Sequence, residues 1–509
     1  MVPRWRRSLL PTLLCLPAFG LMLAGLGEPL HGEHVFRQTH VAGNIEKFLA
    51  HGLSLRPETY NQDVPGALFD FPLYPWIVAA ICRVSGSPPV PAARVVNMAI
   101  LALTLVTLAG LWRRTGASPV QRLFGLVFFA YAPLTLFYFQ VPLPDPLALL
   151  FGLASVAAYW RWDRAPTGPA RSRALAGLIV FGTLSTLIKN PLYMPFAIGI
   201  LWDRLRRRGP AGLLAAGMLA FLAALLVAVA GFKLYANHVN EIGSFLASGE
   251  NQAFFGSLHD RTRPKFWRQI AASFTTRVVV APIFWLSVLG LLLYVWRARA
   301  RGRALHLGLA LGSAATLLVF FSRHHEHHYY QIPFVPVLAF FAAYPPGLLA
   351  TWLRSRARAS ALWLWAGPLL GAALLAMTAS DGLAAFREMS ANWDAGLLER
   401  GRWLASQTTP DDFVVFVLGW REDNWEPSHL YFARRDGVNL ARQRVAYADL
   451  AALHRQFAGR TRRFLVFTPA QGQGDVDAPL QALGARVLAD DPGIGRLYRL
   501  EPAWLRPID

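Results

Sequence analysis

Long apolar runs separated by short arginine clusters leave this chain few folds to choose from. The runs are drawn at 8–28, 93–112, 119–138, 143–160, 174–189, 190–203, 211–233, 274–296, 304–321, 331–352 and 360–380. Several approach the roughly 20 residues a helix needs to cross a bilayer. Between them lie Arg4/Arg6/Arg7, Arg113/Arg114/Arg122, Arg161/Arg164/Arg171/Arg173, Arg204/Arg206/Arg207/Arg208, Arg297/Arg299/Arg301/Arg303 and Arg354/Arg356/Arg358. These clusters fall in every second gap of the eleven-run series. Basic residues in short loops are retained on the cytoplasmic side. The alternation therefore supports the span count and orients it, with the N-terminus inside and the C-terminus outside.

Composition narrows the class further. Hydrophobic residues make up 54% and charged residues 16%, against about a quarter charged in a soluble domain. A soluble enzyme and a disordered chain are both excluded. The net charge of +20 reads as topology, because nucleic-acid binding would want that charge on one soluble face with interleaved aromatics. Cys15 and Cys82 both sit in apolar surroundings and offer neither a disulfide framework nor a cysteine zinc site. The first run starts basic, as a signal peptide does, but it is long and lacks a small-x-small cleavage site, so it reads as an uncleaved anchor.

Three segments are too polar to be embedded, and all fall on the outer side: a first loop at 29–92, a second at 234–273, and a tail at 381–509. The first loop reads as an amphipathic helix to about Ala50, an irregular stretch from Leu53 to Gly66, and a second amphipathic segment at 72–85. That second segment is short enough to lie at the interface rather than span. In the tail, Phe413–Leu418 and Phe464–Phe467 read as buried strands, with Tyr447–Ala458 as an amphipathic helix between them. His429–Ala433 and Arg496–Leu500 are weaker strand candidates. The expected fold is an all-α polytopic membrane domain over 1–380 with about eleven transmembrane helices, plus a small extracytoplasmic α/β domain over 381–509.

Ionisable residues pressed against a membrane are costly and tend to be functional. Glu33 directly follows the first run, where a carboxylate can act as a general base or be an ordinary interfacial acid. Arg37 and Gln38 stand between phosphate binding and helix-start solvation. Asp145, in Pro144-Asp145-Pro146, is the lone acid of a long apolar neighbourhood. It reads as a helix start, as a second active-site carboxylate, or as both. Lys189 ends an apolar run and can pair with a lipid-linked phosphate or snorkel to headgroups. Four histidines and Glu326 in Arg323–Gln331 admit a divalent metal, though grip on a pyrophosphate or sugar is the stronger reading. No metal ligand is assigned. The chain has no P-loop, dinucleotide fingerprint or Gly-x-Ser-x-Gly elbow, which leaves ATP coupling and serine-hydrolase chemistry without a basis.

Four blocks together carry a family resemblance: His34-Val35-Phe36-Arg37-Gln38-Thr39, Asp70-Phe71-Pro72-Leu73-Tyr74, Pro144-Asp145-Pro146, and His327-His328-Tyr329-Tyr330-Gln331-Ile332-Pro333. Their order, and the tail run Pro427–Arg434, resemble the bacterial family 39 glycosyltransferases of the integral-membrane GT-C superfamily. That superfamily also holds the protein O-mannosyltransferases and the lipid A aminoarabinose transferases. The resemblance implies inverting transfer of a hexosyl or pentosyl group from a polyprenyl-phosphate donor. The acceptor is a lipid, polysaccharide or protein on the outer face of the bacterial inner membrane.

Carried over residue by residue, the resemblance makes Glu33 the base or acceptor-orienting acid and Asp145 the acid of the second outer loop. His34, Arg37, Gln38, Lys189, His327, His328, Tyr329, Tyr330 and Gln331 become substrate-binding residues. Many members carry an aspartate where this chain has Gly32, with Glu33 one position along. This brings in Asp70, at a position often held by glutamate, as a further candidate base. Two other classes compete: a transporter or flippase of lipid-linked sugars, which would show repeats and mid-bilayer breaks, and an O-antigen polymerase or ligase, which would elaborate a late outer loop.

Overall fold

The computed structural model describes residues 6–62, 70–240, 255–356, 362–418, 426–441, 447–457, 463–470 and 474–500. Arg4, Arg358, Ala458, the 63–66 part of the irregular stretch and the 241–254 part of the second loop lie outside the described residues.

The chain divides into two compact units. The first comprises Met1–Pro29, Asp70–Tyr235 and Ser248–Ala391. The second comprises Leu30–Phe69, Ala236–Ala247 and Asn392–Asp509. Most of the first outer loop thus clusters with the tail.

The helices of the first unit are punctuated by proline and glycine. In chain order they include α1 (Arg6–Ala24), then, in the other unit, α2 (Val35–His51), then α3 (Leu73–Ser85), α4 (Pro89–Thr115), α5 (Pro119–Ala130), α6 (Pro133–Tyr138), α7 (Asp145–Arg164), α8 (Pro169–Ile188), α9 (Asn190–Leu213) and α10 (Ala216–Asn240). Proline stands in the first turn of α4, α5, α6, α7, α8 and α9, where its missing N–H costs nothing. Left-handed Gly86 and Gly116 close α3 and α4. Later helices cover Leu258–Thr262, Pro264–Ser273, Ala281–Arg297, Arg303–Val319, Phe321–Glu326, Phe334–Ala342, Tyr344–Arg356 and Leu362–Ala391.

Among the described residues, most of each of the eleven apolar runs lies on helix. Among the described residues, five helices are long and apolar enough to cross a membrane: Pro89–Thr115, Pro169–Ile188, Ala216–His238, Phe334–Leu353 and Leu369–Ala391. A sixth span results if Pro264–Val278 and Ala281–Arg297, bent by 106°, count as one. The run at 119–138 is broken by Pro133 into α5 and α6. Close approaches are made by small residues. A Cβ added to Gly312 would strike the Pro195 backbone, so the Arg303–Val319 helix lies directly against α9.

Several of the arginine-bearing loops meet one another in this unit. Arg204 and Arg207 reach Asp163, Gly302 N–H donates to the Thr115 carbonyl at 3.0 Å, and Gly347 abuts Gln121 and Ser118. The opposite ends of α4, α7, α8 and α9 carry Arg94, Asp145, Lys189 and Asn190.

The second unit holds a five-stranded sheet of order β2-β1-β3-β5-β4. Its strands are β1 (Asp412–Leu418), β2 (Gly437–Ala441), β3 (Arg463–Pro469), β4 (Arg486–Asp491) and β5 (Gly495–Arg499). β1 pairs in parallel with β2 and β3, while β5 runs antiparallel to both β3 and β4. Alternate residues of the central strands enter two cores. Phe413, Val415, Val417 and Val466 pack with Leu450 and Leu480 on one face, and Val414, Phe416, Leu465 and Phe467 pack with Leu404 and Leu430 on the other. Burial on both faces explains why these strands read as unbroken apolar runs. Asp412 and Arg463, opposite one another in the β1–β3 register, tie the starts of these two central strands with bonds of 2.8 and 2.5 Å.

One strand expectation is corrected. Ser428–Ala433, which contains His429–Ala433, is a helix that starts after Pro427 and ends at left-handed Arg434. Its six residues are too few for hydrophobic periodicity to separate helix from strand.

Candidate active site

In the helical unit the second sequence block is tied to the end of α8. Phe71 N–H donates to the Leu187 carbonyl at 3.2 Å, which sets Asp70 beside Lys189. Lys189 itself is extended (φ −160°, ψ 88°) and separates α8 from α9. Pro191 has no N–H to donate back to the Leu187 carbonyl, which accepts from Phe71 instead, so the helix does not run on through this point, and Lys189 lies buried at the break.

Lys189 Nζ donates to Asp70 Oδ2 at 3.1 Å, with side-chain exposures of 5% and 18%. The same ammonium lies 5.3 Å from the Tyr329 ring centre and 5.2 Å from that of Tyr330. One carboxylate and two aromatic faces therefore hold a buried cation in place. His327 stacks on Tyr329 at 5.3 Å, and Tyr138 meets Tyr329 edge-on at 6.2 Å.

His328–Gln331 forms a single 3-10 turn. With three residues per turn, His328 and Gln331 share a face, and both meet Ser273. Ser273 Oγ lies 3.0 Å from His328 Nδ1 and donates to Gln331 Oε1 at 2.7 Å. Gln331 Nε2 donates in turn to the His324 carbonyl at 2.6 Å. The four histidines part company: His324 packs on Phe334, His325 on Phe266, His327 on Tyr329 and His328 on Ser273. Burial pushes His324 down to about 3 and His328 to about 4, the latter helped by the charge of Arg277. Both rings are neutral at neutral pH.

Asp145 is fully buried in the first turn of α7. The loop before it is fastened to α4, where Arg94 Nε donates to the Gln140 carbonyl at 3.1 Å and Asn97 Nδ2 to the Val141 carbonyl at 2.6 Å. Arg94 also reaches the carbonyls of Gly25, Leu26, Glu28 and Pro29 at 2.7, 3.0, 2.5 and 3.2 Å. Ser185 Oγ donates to the Ala148 carbonyl at 2.8 Å, which joins the last turn of α8 to the first turn of α7. Asp145 and Lys189 thus share one end of the helical unit. Sequence reasoning passed over Arg94 and Ser273; a lone arginine two residues into an apolar run was the available signal for the first.

The second unit contains the first block. Gly32 adopts φ +85° and His34 φ +55°, the latter a conformation that side chains other than glycine rarely accept. This turn opens α2 and buries Glu33, whose Oε1 accepts from Asn392 Nδ2 at 3.1 Å. Gln38, fully buried, donates to the carbonyls of His31 and Glu33 at 2.9 and 3.1 Å. His34 meets Phe36 edge-on, and Arg37 stays half-buried on the same helix. Thr39 Oγ1 lies 2.9 Å from Ser428 Oγ. His31 faces Trp393, which in turn faces Phe432. The predicted residues accordingly divide between the units: Glu33, His34, Arg37 and Gln38 in one; Asp70, Asp145, Lys189 and His327–Gln331 in the other.

This architecture matches solved membrane transferases. The chain superposes on ArnT from Cupriavidus metallidurans bound to undecaprenyl phosphate with a TM-score of 0.64 at 12% identity, covering 97% of this chain and 99% of that one. The chain has a GT-C fold. It is also similar to the Archaeoglobus fulgidus oligosaccharyltransferase in complex with zinc and sulfate (TM-score 0.58, 12% identity, 98% of this chain and 74% of that one). The mycobacterial arabinofuranosyltransferase AftD shares the GT-C fold at a TM-score of 0.57 and 12% identity, over 98% of this chain and 40% of that one. No family model and no curated protein matches the sequence.

Proposed function

We propose that the chain is a glycosyltransferase that moves a hexosyl or pentosyl group from a polyprenyl-phosphate donor to a lipid, glycan or protein acceptor. The observation that carries this reading is the buried Lys189 ammonium, held between Asp70 and the faces of Tyr329 and Tyr330 in a fold whose ArnT neighbour binds undecaprenyl phosphate. A cation fixed before the reaction stabilises charge as it develops and needs no reorganisation.

In this reading the acceptor oxygen or nitrogen attacks the anomeric carbon from the face opposite the phosphate, so the configuration inverts. The bond from that carbon to the phosphate oxygen breaks, its electron pair stays on the lipid phosphate, and the Lys189 ammonium offsets the negative charge that develops there. The proton lost by the acceptor goes to a carboxylate. Asp70 already serves Lys189, so Asp145 takes that role and Glu33 orients the acceptor. His327, His328 and Gln331 frame the donor beside the tyrosines. The arginine alternation supports eleven spans in the bacterial inner membrane, a cytoplasmic N-terminus and a site on the outer face.

The test is sugar transfer by the purified, reconstituted protein with extracted polyprenyl-phosphate sugars as donors. Wild type is compared with Glu33→Gln, Asp70→Asn, Asp145→Asn and Lys189→Met, with and without chelator. Wild-type release of free polyprenyl phosphate, lost in the acid or lysine variants that still fold, establishes the transferase. No release across a broad donor set, together with movement of lipid-linked sugar between leaflets, replaces it with the transporter.

A further inference from the structure

The segment Phe255–Ser273 brings more than Ser273 to the helical unit. Gly256, at φ +70°, leads into Ser257, which forms a reciprocal capping box with Asp260. The helix so started, Leu258–Thr262, is short, because Arg263 is extended before Pro264. Pro264 then opens the Pro264–Ser273 helix. Trp267 Nε1 of this second helix donates to the Arg261 carbonyl of the first at 2.7 Å, which ties the two together.

The Arg261 guanidinium joins backbone carbonyls of two distant segments. Nη1 donates to Gly256 and Ser257 at 2.9 and 3.1 Å, and Nη2 to Phe255 at 2.6 Å. Nε also donates to Leu318 at 3.2 Å, and Nη2 to Leu318 and Val319 at 3.1 and 3.3 Å. Leu318 and Val319 end the Arg303–Val319 helix, which breaks at Phe320 (φ −98°, ψ 43°). Carbonyls of a last helical turn lack partners inside the helix, and a cation there meets the negative end of the helix dipole.

From that end the chain passes through the Phe321–Glu326 helix into the His328–Gln331 turn, whose tyrosines face Lys189. The 255–273 segment runs beside it. Phe255 stacks on Phe320 at 5.6 Å, Trp267 meets Phe321 at 5.1 Å, and Phe266 stacks on His325 at 4.5 Å. Arg261 lies 5.8 Å from the Phe321 ring centre, and a Cβ on Gly256 would press on Ser322 at 3.3 Å. Ser273 holds the far end of the turn through His328 and Gln331. Arg261 holds the helix end from which the turn departs.

We propose that Arg261 is a positioning residue for the donor-binding turn. Its fork fixes the end of the Arg303–Val319 helix, and through that backbone the placement of His327, Tyr329 and Tyr330. The proposal rests on the transferase reading above. A lysine would keep the charge, but its single ammonium cannot replace a planar fork that reaches both segments.

The experiment compares purified full-chain wild type, Arg261→Gln, Arg261→Lys and Arg263→Gln. Sugar transfer is measured with extracted polyprenyl-phosphate sugars as donors and native membrane extract in excess as acceptor, and hydrogen exchange is followed over 324–331. Arg261→Gln raises the donor KM about tenfold and leaves kcat within about twofold. It also speeds exchange over 324–331 and leaves α7 unchanged. Arg263 is exposed and donates to His259 of its own segment at 3.0 Å, so Arg263→Gln matches the wild type. A merely smaller folded fraction lowers kcat with the donor KM unchanged, and that result overturns the proposal. Should Arg261→Gln fail to fold, Arg261→Lys decides: its donor KM rises if the fork holds the turn, and a wild-type value refutes it. A wild type that transfers no sugar removes the transferase reading and this proposal with it. An active wild type matched in donor KM by Arg261→Gln overturns the positioning role alone.

Discussion

Lys189 and Asp70, 119 residues apart in sequence, meet at 3.1 Å inside the helical unit. The pair has a clear consequence for substitution, because removing one member of a buried ion pair leaves the other uncompensated. Lys189→Met lowers sugar transfer by about a hundredfold or more, the scale of losing one fixed electrostatic stabiliser. Asp70→Asn lowers both transfer and melting temperature, since the buried Lys189 loses its carboxylate partner. Single-turnover rates and thermal unfolding in detergent check both. Equal transfer rates in wild type and Lys189→Met remove the lysine from the reaction.

Asp145 is fully buried as the first residue of α7, after Pro144 at the cap position, and asparagine has nearly the size and shape of aspartate. Asp145→Asn therefore keeps the melting temperature within a few degrees while transfer falls by about two orders of magnitude or more. A variant that loses stability and rate in proportion shows the residue to be a helix start alone.

Arg94 satisfies five backbone carbonyls at once, those of Gln140, Gly25, Leu26, Glu28 and Pro29. Buried acceptors left unpaired cost about 1–3 kcal/mol each. Arg94→Met destabilises the helical unit by about 3 kcal/mol or more and loosens the loop before Asp145. Hydrogen exchange at 140–148 rises in the variant. Arg94→Lys recovers only part, because an ammonium cannot span the set.

His429 of the sheet unit is buried with its ring 3.9 Å from that of Phe416. Burial, with Arg400 adding repulsion against the opposing pull of Asp394, holds it down to about 3. An unfolded histidine titrates near 6.5, so below that pH the unfolded state binds the extra proton. The stabilisation is complete above pH 6.5 and falls by about 1.4 kcal/mol per pH unit toward pH 3. Hydrogen exchange of β1 amides reads this directly. His429→Phe flattens the profile over that window, and an unchanged profile assigns the acid sensitivity to other groups.

Much of the architecture was legible in the chain because the signals are local. Among the described residues, most of each of the eleven apolar runs lies on helix, and Phe413–Leu418 and Phe464–Phe467 fall inside β1 and β3. β2 and β4 went unread: Gly437–Ala441 is five residues long and polar at Asn439, and β4 has a largely exposed pattern. Such short strands are recognisable only from their partners. His429–Ala433 failed for the related reason that a six-residue helix shows no period.

The site divides along the same line. Sequence alone determined that the polar blocks sit at the ends of apolar helices and that the arginines collect opposite them, because hydrophobicity and charge act residue by residue. It did not determine that Lys189 would face Asp70 and two tyrosines, that Ser273 would join His328 to Gln331, or that Arg94 would fasten the turn before Asp145. Those outcomes depend on which helices pack together and how far each is rotated. Contacts between residues 46 to 119 positions apart or more have no local signature, so only the tertiary structure decided them.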